Sequence, residues 1–216
     1  MKKILIIFCF VFTASQSGAA MSTDTTTIMV LGDSLSTSYN MPTEAGWVNL
    51  LRQRLQAYSP DFQVVNISIS GETTLGGRNR IDQALQNHQP NFVMIGLGGN
   101  DGLRGSPIKN IYENLEAIIK TSLQNNATVI LLGMQIPPNY GITYTQKFRD
   151  IYPRLAEQYQ LELVPFLLAG FGDNRDFFQP DGIHPNRMAQ EIIVENVWTV
   201  LSSLLLTEKM AASVEY

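Results

Sequence analysis

A chain of 216 residues, 44% hydrophobic and 16% charged, has enough apolar surface to offset its chain entropy, so disorder is excluded and one domain is the expectation. A net charge of −4 supplies no general basic face, which argues against nucleic acid as a partner. One Cys rules out a disulfide framework and any multi-cysteine zinc site, and two His leave little room for a histidine-rich metal centre.

Residues 1–20 read as a cleaved export signal. Lys2 and Lys3 precede an unbroken apolar run from Ile4 to Phe12, and small or weakly polar residues fill 13–20. The run is too short to cross a bilayer, which takes ~20 residues. Cleavage is expected after Ala19 or Ala20. It removes Cys9, the only cysteine, and two lysines, which moves the net charge from −4 to −6. The mature chain then depends on its core, having no disulfide to staple it.

From there, strand and helix patterns alternate. Thr27 to Leu31 is a short apolar strand ending in Gly32-Asp33-Ser34. Val48, Leu51, Leu55 and Tyr58 form one face of a helix. Phe62 to Ile69, rich in β-branched residues, is a second strand. Thr73 to His88 is a polar helix, weakened at its start by Gly76 and Gly77. Phe92 to Leu97 is a third strand, closing on Gly98-Gly99-Asn100-Asp101. Ile111, Leu115, Ile119 and Leu123 mark a helix, and Thr128 to Met134 a fourth strand. Lys147 to Tyr159 is helical, with Pro153 kinking it or opening a new turn. Leu161 to Phe166 is the fifth strand. Ala189, Ile193, Val197, Val200 and Leu204 line a last helix entered through Pro185.

Five apolar strands separated by helices imply an α/β fold with a parallel sheet covered on both faces. The chain is expected to form one domain over 21–206, with 207–216 as a loose tail. In such sheets a ligand lies beyond the carboxyl ends of the strands, and the unusual residues fall there. Gly32-Asp33-Ser34-Leu35-Ser36 follows strand one, Ser70-Gly71-Glu72-Thr73 strand two, and Gly98-Gly99-Asn100-Asp101 strand three. Asp181-Gly182-Ile183-His184-Pro185 lies between strand five and the last helix.

These residue types suit nucleophilic acyl transfer. A serine hydroxyl needs an adjacent base, which His184 can be, and Asp181 can fix the His184 tautomer. A tetrahedral intermediate needs donors for its oxyanion: the backbone N–H groups of Ser34 and Gly71 and the side-chain amide of Asn100 are the candidates. Taken singly, each residue has a structural alternative. Ser34 can be a helix cap, Asp33 a cap or turn residue, Asn100 and Asp101 turn formers, Asp181-Gly182 a plain turn, and His88 a surface residue. Their joint placement at strand ends favours a site.

Gly32-Asp33-Ser34-Leu35-Ser36, Gly71, Gly98-Gly99-Asn100-Asp101 and Asp181-Gly182-Ile183-His184-Pro185 resemble, in order, the four sequence blocks of the SGNH, or GDSL, hydrolases. The stretches Gly98 to Gly105 and Pro138 to Gly141 resemble the family's bacterial periplasmic thioesterase, lysophospholipase and arylesterase branch. The resemblance runs from about Thr27 to the last helix. It implies a flavodoxin-like three-layer α/β/α sandwich with nucleophile Ser34, oxyanion donors Ser34, Gly71 and Asn100, and an acid–base pair Asp181 and His184. Ser36 stands where the second glycine of the α/β-hydrolase elbow Gly-x-Ser-x-Gly would be, which separates the two groups.

The expectation is a periplasmic serine esterase acting on esters and thioesters of fatty acyl groups, with no metal and no organic cofactor. Its partner is a small-molecule acyl ester or thioester. Nucleic acid and stable membrane insertion are not expected, and a monomer is. Leu103, after the Asn100 block, and Ile142, after strand four, are the expected walls of an acyl groove. A carbohydrate O-acetylesterase is the alternative within enzymes. A non-catalytic acyl or glycan binder would be marked by loss of Ser34 or His184, and both are present. A flavin binder lacks its phosphate loop after strand one.

Overall fold

The computed structural model describes residues 25–214, with side chains through 206. The export signal read in residues 1–20 lies outside the described residues. Five strands, β1 (Thr26–Gly32), β2 (Phe62–Asn66), β3 (Phe92–Gly96), β4 (Thr128–Leu132) and β5 (Glu162–Val164), make one sheet. Its order is β2-β1-β3-β4-β5, and every pairing is parallel. The apolar runs explain this arrangement. Ile28 to Leu31, Phe92 to Ile95 and Ile130 to Leu132 are buried whichever face they point to, as strands must be when helices cover both sides.

Among the described residues, seven α-helices surround the sheet: α1 (Trp47–Tyr58), α2 (Thr74–His88), α3 (Gly99–Leu103), α4 (Ile108–Gln124), α5 (Ile142–Arg149), α6 (Ile151–Tyr159) and α7 (Gln190–Val214). α1 packs on α7, and α2 packs on α4, which in turn meets α5 and α6. The result is the three-layer, flavodoxin-like sandwich that the alternating pattern implies. Its strand order reverses between β1 and β3, the switch point at which open α/β sheets open a crevice.

Several boundaries differ from the sequence reading, each for a physical reason. The Ile111, Leu115, Ile119, Leu123 series drifts 40° around a helix at each step of four, so by its end Leu123 is 37% exposed. Ile118 and Ser122 take the buried positions instead. The helix expected over Lys147 to Tyr159 is two helices that break at Asp150. Pro153 falls in the first turn of α6, where its missing N–H has no intrahelical partner to lose. β5 stops before Pro165, which has no N–H to give a ladder. Gly99 to Leu103, read as a loop, is a short helix. The stretch 207–214, read as a loose tail, continues α7 in its backbone, and its Glu, Lys, Met and Ala residues are good helix formers.

Candidate active site

β1 ends at Gly32, and the chain turns at once through Asp33. The Asp33 carbonyl accepts from Ser36 N at 3.0 Å and Thr37 N at 3.2 Å, and its Oδ1 accepts from Leu35 N at 3.0 Å. Two outside donors pin the same loop: Trp47 Nε1 to the Leu35 carbonyl (3.1 Å) and Asn66 Nδ2 to the Ser36 carbonyl (2.7 Å). Ser34, at the turn's crest, caps no helix, because α1 does not begin until Trp47. Its hydroxyl lies 2.8 Å from His184 Nε2. Ser36, the other serine of the block, is 1% exposed and is closed off from any substrate.

His184 is presented by a tight loop. Phe178 and Pro185 form an antiparallel bridge, and Gln179 N donates to the His184 carbonyl at 2.8 Å. Asp181 Oδ1 accepts from Ile183 N (2.9 Å) and His184 N (3.0 Å), while Oδ2 meets His184 Nδ1 at 2.8 Å. One carboxylate oxygen thus builds the loop and the other orients the imidazole. Partial burial pushes the Asp181 carboxyl up, but the His184 and Ile183 N–H groups and the His184 ring outweigh it and hold it at about 2. A carboxylate that stays ionised keeps Nδ1 protonated, so Nε2 is left with its lone pair toward Ser34. His88, the other histidine, ends α2 and is not among the residues that line the cavity beside Ser34.

Asn100 sits in the first turn of α3, and its Nδ2 donates to Asp33 Oδ2 at 3.1 Å. Asp101, buried, anchors that helix: Oδ2 accepts from Thr74 N and Oδ1 from Thr74 Oγ1, both at 2.8 Å. The first turn of α2 and the turn bearing Asn100 are therefore locked together. Gly98, which enters α3, has φ 115°, and a Cβ there would come within 2.4 Å of the Tyr152 hydroxyl, so the close approach requires glycine. Gly71 also has a positive φ, 78°, and its carbonyl accepts from Arg104 at 3.2 Å. Among the described residues, neither the Ser34 nor the Gly71 N–H donates to a protein acceptor.

A cavity of ≈ 660 Å³ opens over these groups. Ser34, Asn100 and His184 line it, and so does Leu103. Gly71 stands outside the lining. So does Ile142, which is 74% exposed at the start of α5, and the expectation that it walls the cavity is corrected. The wall after β4 is made earlier, by Met134, Ile136, Pro137 and Pro138, because Gly141 (φ 90°) turns the chain before Ile142. Phe166, Leu168 and Phe178 complete an apolar far side that periodicity did not single out. Sequence reasoning also left Asp33 as a turn residue. Its second task, holding the Asn100 amide, joins residues 67 positions apart, and no local signal carries it. Burial raises the Asp33 carboxyl to about 6 against the opposing pull of the Leu35 N–H, the Asn100 amide and His184. Among the described residues, no three His, Cys, Asp or Glu side chains converge as metal ligands.

An imidazole oriented in this way can make a serine hydroxyl nucleophilic, and here the pair lines a cavity with largely apolar walls. Comparison with known proteins agrees in character. The model of the GDSL-like Lipase/Acylhydrolase family matches residues 30–192. Esterase TesA of Pseudomonas aeruginosa is 41% identical over 205 residues, covering 95% of this chain and all of that protein. Thioesterase 1/protease 1/lysophospholipase L1 of Escherichia coli K12 is 39% identical over 186 residues, covering 86% of this chain and 87% of that one. A crystal structure of TesA superposes with a TM-score of 0.80 at 44% identity, covering 82% of this chain and 99% of that one.

Proposed function

The chain belongs to the GDSL-like lipase/acylhydrolase family and is a hydrolase of ester bonds, and on that premise we propose that it cleaves carboxylic esters and thioesters of fatty acyl groups through an acyl-enzyme on Ser34. The observation that carries the reading is the unbroken series Ser34 Oγ, His184 Nε2, His184 Nδ1, Asp181 Oδ2, with both gaps 2.8 Å.

Ser34 Oγ attacks the acyl carbonyl while His184 Nε2 takes its proton. The carbonyl oxygen becomes an oxyanion that receives the Ser34 and Gly71 N–H groups and the second N–H of Asn100 Nδ2, the first being held by Asp33. The tetrahedral centre collapses, the bond to the alcohol or thiol breaks, and His184 returns the proton to that leaving group. Water repeats the sequence on the acyl-enzyme, releasing the fatty acid and restoring the Ser34 hydroxyl. None of these steps needs a metal or an organic cofactor. The apolar walls of the cavity favour fatty acyl groups over acetyl, which sets the carbohydrate O-acetylesterase reading second. The relatives' names, esterase and thioesterase 1/lysophospholipase L1, accord with both bond types. The Lys2-Lys3 start and the apolar run to Phe12 support export to the periplasm.

The test is Ser34→Ala together with a serine-directed organophosphate. The variant folds and loses several orders of magnitude in kcat on p-nitrophenyl butyrate, and the wild-type adduct maps to Ser34. An adduct on Ser36, or a fully active variant, overturns the proposal.

A further inference from the structure

Tyr39 lies on the loop between Ser34 and α1, and its ring stacks on the His184 imidazole, with centroids 4.2 Å apart and planes at 30°. The ring is not core filling, since Tyr39 is 44% exposed. The hydroxyl has no protein partner among the described residues, so the ring face is what the residue contributes. Its backbone is held with unusual care. The residues on either side, Ser38 (φ 61°) and Asn40 (φ 53°), both adopt the left-handed region, which L-residues enter only against a steric penalty.

Gln179 holds that conformation. Its Nε2 donates to the Tyr39 carbonyl at 2.9 Å and to the Pro185 carbonyl at 3.2 Å, and its Oε1 accepts from Asn40 Nδ2 at 3.2 Å. Its backbone N–H donates to the His184 carbonyl at 2.8 Å. One side chain thus ties the loop that carries Ser34 to the loop that carries His184, and it does so through Tyr39 itself and through Asn40 and Pro185, which follow the two stacked residues.

Resting on the acyl-serine reading above, we infer that Tyr39, clamped by Gln179, is a positioning residue for His184. The imidazole is bounded at Nδ1 by Asp181 and at Nε2 by Ser34, contacts at its rim that resist tilting of the ring only through the angular preference of two hydrogen bonds. The Tyr39 face opposes that tilt. The ring also acts selectively on the reaction. The imidazole is neutral before attack and becomes a cation as Ser34 gives up its proton, and a cation is drawn to an aromatic face. The contact therefore strengthens on the way to the transition state, which raises kcat rather than tightening substrate binding.

Steady-state kinetics of the full chain on p-nitrophenyl butyrate test this with Tyr39→Phe, Tyr39→Leu and Tyr39→Ala. Tyr39→Phe keeps kcat within about twofold, because the ring face is intact. Tyr39→Leu and Tyr39→Ala lose ~3–30-fold in kcat with KM nearly unmoved, the span expected of a cation–π contact. Gln179→Ala, which leaves the ring but frees its backbone, lowers kcat in the same direction, and adding Tyr39→Ala to it costs less than Tyr39→Ala alone. Should the Tyr39 variants fail to fold, Gln179→Ala alone carries the test. An effect confined to KM, a Tyr39→Phe variant as damaged as Tyr39→Ala, or full kcat in Gln179→Ala overturns the inference. An active Ser34→Ala variant would instead remove the reading beneath it.

Discussion

Asn100 Nδ2 and Asp33 Oδ2 share a hydrogen bond of 3.1 Å, and it decides which way the Asn100 amide faces. A carboxylate only accepts, so the amide must offer it the NH2 end, and the second N–H of that nitrogen remains for a substrate oxygen.

Asp33→Asn should reverse this. The new side chain needs its oxygen for Leu35 N, so its own NH2 is turned toward Asn100, which then rotates to answer with its carbonyl. An acceptor replaces a donor where an oxyanion forms. The expected loss in kcat is ~10²–10³, matching that of Asn100→Ala, and the double variant should be little worse than either single. Additive losses in the double variant would mean that the two residues act independently.

The same carboxyl gives stability a pH dependence of defined sign. Its value in the fold, about 6, stands above the ordinary 3.8, so the folded state binds the proton more tightly than the unfolded chain. Its contribution is fully present below pH 4 and is lost as pH rises through 6. At pH 7.5 the loss amounts to about 3 kcal/mol, at 1.36 kcal/mol per unit. Thermal melts should therefore show Asp33→Asn gaining on the wild type by several degrees between pH 4.5 and pH 7.5. An unchanged offset at the two pH values would contradict this.

The cavity walls predict an acyl-length profile. Each buried methylene is worth ~0.8 kcal/mol, or about fourfold in kcat/KM. The specificity constant should climb from acetyl to medium-chain p-nitrophenyl esters and then level off. Leu103→Ala and Ile136→Ala should flatten the climb and leave acetyl turnover in place, whereas Ile142→Ala, outside the cavity, should leave the profile alone. A profile that falls steadily from acetate would favour the O-acetylesterase reading.

Charge should also discriminate. Among the described residues, the ionisable side chains lining the cavity are Asp33, Asp173 and His184, with no Lys or Arg. A leaving group carrying phosphates meets a carboxylate and no counter-charge. Asp173→Asn should raise kcat/KM for an acyl-CoA by ~2–5-fold relative to a neutral p-nitrophenyl ester of the same acyl group, more at low salt. Equal ratios in the variant and the wild type would acquit Asp173.

The fold was legible because buried parallel strands are apolar without interruption: Phe92 to Ile95 and Thr128 to Leu132 announce themselves. Ser34, Asn100, Asp181 and His184 were legible as types at strand ends. What sequence could not supply is contact between distant positions of ordinary appearance. Tyr39 and Gln179 are a tyrosine and a glutamine in polar loops, and only the folded chain sets one against His184 and the other across two loops. Ile142 was misplaced for the opposite reason. It is apolar and near the right strand, but the turn at Gly141 comes before it.

Ser34 and His184 are 150 positions apart, the first beyond β1 and the second beyond β5. During synthesis the sheet has all its strand segments once Val164 has emerged, yet the Ser34 hydroxyl still lacks its imidazole partner for another twenty residues, and α7 has not begun. Chain growth thus separates architecture from chemistry. A nascent or truncated product ending before Asp181 carries all five strand segments and neither member of the Asp181–His184 pair.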